Sequence, residues 1–340
     1  MPFISVTVTS YNYEKYIIRQ LKSIYNQSFR DFEIIVADDG STDKSVDLIE
    51  NFIDTHKDVT IKLIKSNHAG LQANRNRVLE AATGKYVMFC DSDDYMDKDC
   101  LEKLAKKAKE LDADRVACYV KDVDEQGKVL QVETQWGSIQ SKWTCNLNHG
   151  CLYRRSIFMD NGIRFVDAAA ADDFCISSII NCYVKTMGFV EEPLYNWFVH
   201  TDSTSSAKKK INEMTGVNML FHDLKEIRVA RDYLIKDKDK KEWDLFIYQT
   251  IRFYYFSIFH SYRYIPIKDT INDYRMMNKT MKAFYTGYLR NPYINLKKNS
   301  PVRKYAQIII WGAALCEKLN LMPLALIAYH LVSKVHYFNI

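Results

Sequence analysis

The sequence contains eight cysteines but no CxxC pair, and no spacing that would build a zinc site or a dense disulfide framework. Reduced thiols in an intracellular compartment are therefore expected. Long apolar runs are also missing. The longest uncharged stretches, residues 306–316 and 321–332, fall short of the roughly 20 residues that a helix needs to span a bilayer. No basic segment with an apolar stretch precedes Met1-Pro2-Phe3-Ile4-Ser5, so no secretory signal is read there. No GxGxxG follows the first strand, which removes the phosphate loop of a dinucleotide-binding domain, and no Walker A sequence is present. Nothing recurs at the periods of solenoid proteins.

What is present suffices for a sizeable core. The 340 residues are 47% hydrophobic, enough for one large domain or two ordinary ones. The net charge of +5 is unevenly spread. Residues 1–205 hold 24 Lys and Arg against 31 Asp and Glu, and residues 206–340 hold 23 against 11. Parts so different in charge are expected to meet different partners.

Residues 3–9 alternate apolar groups with Ser5 and Thr7, as a strand does. Strands are also expected at 32–36, 59–64, 85–90 and 115–120. Helices between them are indicated by Ile17, Leu21 and Ile24, by Val46, Ile49 and Ile53, and by residues 70–82 and 101–111. Such alternation with short connections predicts a doubly wound, mostly parallel α/β sheet flanked by helices. Beyond Lys208-Lys209-Lys210 the chain reads as helical, aromatic and basic, which sets two domains, 1–207 and 208–340.

Polar and acidic clusters fall where consecutive strands should end: Thr9-Ser10-Tyr11-Asn12, Asp38-Asp39-Gly40 and Asp91-Ser92-Asp93-Asp94, followed later by Asp172-Asp173. Strand ends of a parallel sheet share one edge, so these clusters can converge where such sheets bind ligands. Crowded carboxylates repel unless a cation or strong donors compensate, and a hard divalent ion carrying phosphates is one solution. The alternative is that the acids cap helices and complement helix dipoles.

The segments Ser5-Val6-Thr7-Val8-Thr9-Ser10-Tyr11-Asn12, Ile35-Val36-Ala37-Asp38-Asp39-Gly40-Ser41, Gly70-Leu71-Gln72-Ala73-Asn74-Arg75-Asn76 and Asp91-Ser92-Asp93 resemble, in order and spacing, a family 2 glycosyltransferase with the GT-A fold. The resemblance covers roughly the first 200 residues. It implies an inverting transfer of a sugar from a nucleotide diphosphate donor, often a UDP-sugar, to an acceptor hydroxyl of a glycan, lipid-linked or polyol-phosphate acceptor in surface polysaccharide synthesis. By the same resemblance Thr9 and Asp39 hold the nucleobase end of the donor, and Tyr11, Arg75 and Ser92 also bind the donor. Asp91-Ser92-Asp93 is the DxD motif. In it Asp91 contacts ribose, and Asp93 ligates the Mn²⁺ or Mg²⁺ that neutralises the leaving diphosphate. His200, after Tyr195-Asn196-Trp197, is a candidate second metal or diphosphate ligand. Asp173 stands where the family places its general base, with Asp172 replacing the usual glutamate. His149, Trp136 and Trp197 are candidates for the acceptor side, with Trp143 as a further sugar-stacking aromatic.

Two rival readings stay open: a catalytically inactive GT-A scaffold or binding subunit, and a nucleotidyltransferase, which would want a Gly- and Arg-rich loop after the first strand. The C-terminal region pairs short apolar helices and aromatics with Arg303, Lys304, Lys318 and Lys334. Such a region suits peripheral contact with the cytoplasmic face of an anionic membrane. An ordinary helical domain or a dimer face is the alternative. No nucleic-acid recognition motif accompanies the charge.

Overall fold

A computed structural model of the chain describes residues 1–133, 142, 145, 148–165, 172–200, 240–261, 266–297 and 304–335. Contacts divide it into two compact units, which among these residues are 1–200 and 240–335.

The first unit is built on β1 (Ile4–Ser10), whose seven residues are all buried. Ile4, Val6 and Val8 join the main apolar cluster. The alternate positions point to the other face, where burial requires polar partners. Ser5 Oγ donates to Glu33 Oε1 at 2.6 Å, and Thr7 Oγ1 donates to the Met88 carbonyl at 3.0 Å. β1 lies parallel to β2 (Phe32–Asp38) on one side and to β4 (Tyr86–Asp91) on the other, and β3 (Ile61–Lys65) extends the parallel half. The close start of β4 depends on Gly84, where a Cβ would sit 2.6 Å from the Ser5 nitrogen.

Beyond β4 the sheet becomes mixed. β8 (Cys151–Arg154) runs antiparallel to β4 and to β6 (Arg115–Val123), and β6 pairs parallel with β9 (Met187–Phe198). The described order is β3-β2-β1-β4-β8-β6-β9-β5, with β5 at Tyr95–Met96 and β7 (Val129–Glu133) attached to β6. This is the GT-A architecture, a Rossmann-like parallel half continued by a mixed half. The local alternation of strand and helix yields the parallel half as far as β4, and its last strand, β6, already lies in the mixed half. There β8, β7 and β5 run antiparallel to their neighbours.

Helices α1 (Ile17–Tyr25), α2 (Ser45–Thr55), α3 (Leu71–Ala81) and α4 (Cys100–Leu111) follow the first strands, and α5 (Arg155–Asp160) and α6 (Asp172–Tyr183) follow β8. α1 buries Ile17, Leu21 and Ile24, the face its spacing predicts.

The second unit is helical: α7 (Lys240–Ser261), α8 (Ile267–Phe284), a 3₁₀ turn at Tyr288–Arg290, α9 (Lys304–Lys318) and α10 (Met322–Val335). Phe246, Ile251, Tyr255, Met281, Ile310 and Leu326 are buried in it. Glu317 is buried too, and accepts hydrogen bonds from Tyr255 Oη at 2.9 Å and from Asn278 Nδ2 and Tyr288 Oη. α9 ends at Lys318, and Asn320, with a φ of 56°, turns the chain into α10 while the Leu321 N–H caps the Cys316 carbonyl at 2.7 Å. Among the described residues no helix is long and apolar enough to cross a membrane.

Candidate active site

The register of the parallel half sets the C-terminal strand ends side by side: Thr9 pairs with Ala37 and with Asp91, and Ser10 pairs with Asp38. The polar clusters named above therefore share one edge, as a parallel sheet requires. Within the second cluster Asp38 is structural. It accepts from the Ser41 N–H at 2.8 Å and the Ser41 hydroxyl at 2.6 Å, which closes the turn.

Asp39 faces the other way and is buried. Gly40, at φ 80°, lets the turn approach the loop before α3, where a Cβ would lie 3.0 Å from the His68 nitrogen. The Asp39 carboxylate accepts from the Ala69 N–H at 3.0 Å, from the Gly70 N–H at 2.8 Å and from Arg77 Nη1 at 2.8 Å; His68 Nδ1 lies 2.9 Å from its Oδ2. A carboxylate has about four acceptor positions. Those of Asp39 are filled, and His68 is the most exposed occupant. Tyr11, itself exposed, stacks on that ring with centroids 4.2 Å apart. A nucleobase N–H reaching Asp39 would take the place of His68 and leave Tyr11 a flat partner of the same kind.

Arg75 lies on α3 between two anchored asparagines. Asn74 Nδ2 donates to the Ala37 carbonyl at 2.7 Å, fixing α3 to β2. Asn76 exchanges two 2.9 Å bonds with the backbone of Phe165, whose ring lies 5.6 Å from the Arg75 guanidinium carbon. Held this way and buried, Arg75 sends Nη2 to Asp91 Oδ1 at 3.2 Å and Nη1 to within 3.7 Å of Asp173 Oδ1. One guanidinium thus spans the end of β4 and the start of α6.

Asp173 Oδ1 also accepts from Asn148 Nδ2 at 2.7 Å. The amide of Asn148 is oriented in turn by Tyr153, whose hydroxyl donates to its Oδ1 at 3.1 Å. Of Asp172 the backbone lies at the first position of α6, and its side chain is outside the described residues, as are Trp136 and Trp143. His149 is buried with its ring stacked on Tyr195 (5.4 Å, 25°) and 5.8 Å from Trp197, so these two acceptor-side candidates do adjoin each other.

The acidic loop after β4 is held from several sides. Ser92 is buried and its hydroxyl donates to the Thr9 carbonyl, so it ties the loop to β1. Gln20 Nε2 of α1 donates to the Asp91 carbonyl at 3.1 Å. Asp94, fully buried, accepts from the Tyr195 hydroxyl at 2.8 Å and the Phe198 N–H at 3.0 Å, which fastens the loop to β9. Burial and then the charge of Asp91 push the Asp93 carboxyl above its ordinary range. Burial and the charges of Asp93 and Asp91 push Asp94 much further.

Asp93 Oδ2 lies 2.9 Å from Nε2 of His200, and the His200 ring packs on Tyr16 and Phe198. Adjacent ligands of an octahedral divalent ion, with bonds near 2 Å, sit about 3 Å apart. The Asp93–His200 contact is a hydrogen bond, and a carboxylate beside an imidazole is a donor set that Mn²⁺ accepts. Among the described residues no group of three His, Cys, Asp or Glu is arranged for a metal. In this structure the two groups are hydrogen-bonded to each other, and they are the residues that would hold such an ion.

Residues 5–162 match the sequence profile of Glycosyl transferase family 2. Over this segment, just under half of the 340 residues, the chain is similar to family 2. Relatives extend the match beyond that segment. The putative glycosyltransferase EpsH of Bacillus subtilis is 29% identical over 266 residues, covering 72% of this chain and 74% of EpsH. TarS of Staphylococcus aureus, a poly(ribitol-phosphate) beta-N-acetylglucosaminyltransferase, is 31% identical over 167 residues, 47% of this chain and 29% of TarS. Its residues 1–349, solved with UDP, superpose with a TM-score of 0.68 at 19% identity, covering 96% of this chain and 90% of that one. The mannosyltransferase PcManGT of Pyrobaculum calidifontis, solved with GDP-Man and Mn²⁺, gives 0.55 at 16% identity and covers 98% and 87%. These solved structures establish the fold of the chain.

Three residues around the site escape a reading of the sequence: His68, Arg77 and Asn148. Asn148 stands in irregular sequence without a motif around it. Arg77 adjoins the segment Asn74-Arg75-Asn76, and adjacency is the one signal for it.

Proposed function

We propose that this protein is an inverting glycosyltransferase that moves a sugar from a nucleoside diphosphate donor, a UDP-sugar, to a hydroxyl of a surface-polymer acceptor. The acceptor class is a glycan, lipid-linked or polyol-phosphate chain. The observation that carries the reading is the Arg75 bridge, which puts the donor-side carboxylate Asp91 and the base candidate Asp173 within reach of one guanidinium. Thr9, Tyr11 and Asp39 receive the nucleobase, Asp91 the ribose, and Asp93 with His200 holds Mn²⁺ or Mg²⁺. When bound, that ion supplies positive charge to the diphosphate as it leaves.

Asp173 takes the proton of the acceptor hydroxyl while that oxygen bonds to the anomeric carbon. The bond from that carbon to the diphosphate oxygen breaks in the same displacement, so the configuration inverts. Asn148 keeps the Asp173 carboxylate turned toward the site. Arg75 lies against both carboxylates and offsets their charge. His149 and Trp197, with Trp136, receive the acceptor. Asp172 supports Asp173 from the neighbouring position.

The catalytic domain is residues 1–207. The region 208–340, basic in composition, carries it to the cytoplasmic face of the cell membrane as a peripheral protein. A panel of nucleotide sugars screened for binding and slow hydrolysis with Mn²⁺ or Mg²⁺ tests the proposal. Binding of one UDP-sugar is expected. Failure of every donor to bind would leave an inactive GT-A scaffold as the better account.

A further inference from the structure

The exposed side of α9 carries no charge between its two end lysines. Down the helix the exposed positions are Lys304, Tyr305, Ile308, Trp311, Leu315 and Lys318. α10 continues the surface with Leu324, 62% exposed, and Ile327, 39% exposed. Scattered apolar groups are normal on a surface, but a contiguous stripe along two successive helices marks a contact surface. The one acid in residues 304–335 is Glu317, which is buried against Tyr255, so this surface presents ammonium groups and no carboxylate.

A cavity of about 300 Å³ lies among α7, α9 and α10, lined by Phe256, Ile308, Gly312, Met322, Ala325 and Tyr329 among others. That is about twice the volume of a protein cavity that accepts benzene. Ile308 belongs both to its wall and to the exposed stripe. Gly312 leaves the space open: a Cβ there meets no heavy atom within 4 Å. A glycine inside a helix weakens it relative to alanine, and here no close approach of another chain segment requires one.

We propose that the α9–α10 face rests on an anionic phospholipid surface and that the cavity behind it takes one acyl chain of such a lipid. The proposal rests on the membrane contact given above and names its surface. Trp311 and Tyr305 sit at headgroup depth, where amphipathic rings are favoured. Lys304 and Lys318 meet headgroup phosphates. Charge selects this occupant over a second copy of the chain. Two copies joined here would oppose surfaces that carry lysines and no carboxylate.

The full chain is tested by co-sedimentation with phosphatidylglycerol vesicles and with phosphatidylcholine vesicles. Binding of monomeric dodecyl phosphate is measured by calorimetry. Phosphatidylglycerol vesicles are expected to bind, and phosphatidylcholine vesicles to bind at least tenfold more weakly. The double variant Trp311→Asp, Leu315→Asp should lose vesicle binding by tenfold or more. Gly312→Leu should fill the cavity, unfold no earlier than wild type, and lower dodecyl phosphate affinity at least tenfold. Equal dodecyl phosphate binding by Gly312→Leu and wild type overturns the acyl-chain site. Vesicle binding that the double variant retains overturns the surface. A wild-type dimer that the double variant makes monomeric, without vesicle binding by either, assigns the face to a second copy and overturns it as well. Transfer to a water-soluble acceptor should be unchanged in all variants, so failure here is distinguishable from failure of the catalytic reading.

Discussion

Arg75 Nη2 lies 3.2 Å from Asp91 Oδ1 while Nη1 of the same guanidinium lies 3.7 Å from Asp173 Oδ1. A planar fork can serve two carboxylates at once, whereas the point charge of a lysine serves one well. Arg75→Lys is therefore expected to keep the fold, since the site retains a cation, yet to lower kcat/KM by about 100-fold or more, on the order of 3 kcal/mol. Steady-state kinetics against the preferred donor checks this. Near wild-type kcat/KM in the lysine variant would separate Arg75 from the reaction.

Asp173→Asn should abolish transfer while donor binding, measured by calorimetry, stays within a few fold. Asn148→Leu tests the residue behind it. Loss of a hydrogen bond to a charged group amounts to about 1.5–3 kcal/mol. A fall in kcat of about 10- to 100-fold with little change in donor KM is expected. An Asn148→Leu change felt in donor KM alone would contradict a role in orienting Asp173.

Metal removal should stop the reaction. Dialysis against a chelator is expected to abolish transfer, and Mn²⁺ or Mg²⁺ to restore it. His200→Ala should raise the metal concentration for half-maximal rate by about 10- to 100-fold, the usual effect of weakening a metal's protein shell. Titration of the chelated enzyme with Mn²⁺ reads this directly, and full activity in excess chelator would dismiss the metal.

Asp39→Asn offers an amide N–H₂ where Ala69 N–H, Gly70 N–H and Arg77 all donate. UDP affinity is expected to fall at least tenfold. His68→Ala, which clears the exposed occupant without disturbing the backbone bonds, should leave UDP affinity within about threefold. A large loss in His68→Ala would show that the imidazole itself holds the nucleotide.

Glu317 supplies a pH-dependent test of the helical unit. Burial pushes its carboxyl above the usual range, against the donors Tyr255 and Asn278. A raised acid favours folding most fully below its unfolded value, about 4.5, and that contribution is lost as pH rises through the folded value. Glu317→Gln should therefore gain stability relative to wild type as pH rises from about 4 to 8, measured by urea unfolding at several pH values. A stability difference independent of pH would indicate that the carboxyl ionises at its ordinary pH when folded.

What could be read from the chain alone was what is local. Thr9, Asp39 and Asp91 end strands whose apolar runs announce them, and the shared edge follows from parallel pairing. The mixed half of the sheet was less legible, because the reversal at β8 depends on contacts with β4 from residues about 65 positions earlier. Asn148 and His68 carry no periodic or motif signal. Their places arise from approach in space: Asn148 reaches Asp173 across 25 residues and Tyr195 reaches Asp94 across 101. Ser92 illustrates the opposite limit, since a motif marks its position while its hydroxyl turns inward to Thr9.

The fastening of Asp94 to Phe198 and of Asp93 to His200 has a consequence for how the enzyme is made. These contacts join residues 104 and 107 positions apart. Closing such separations is slow compared with forming the neighbouring strands and helices. During synthesis the β1–β4 segment leaves the ribosome about 100 residues before these partners of its acidic loop. Asp91 has its partner Arg75 within that segment, while Asp93 and Asp94 gain theirs only with β9 and the residues after it.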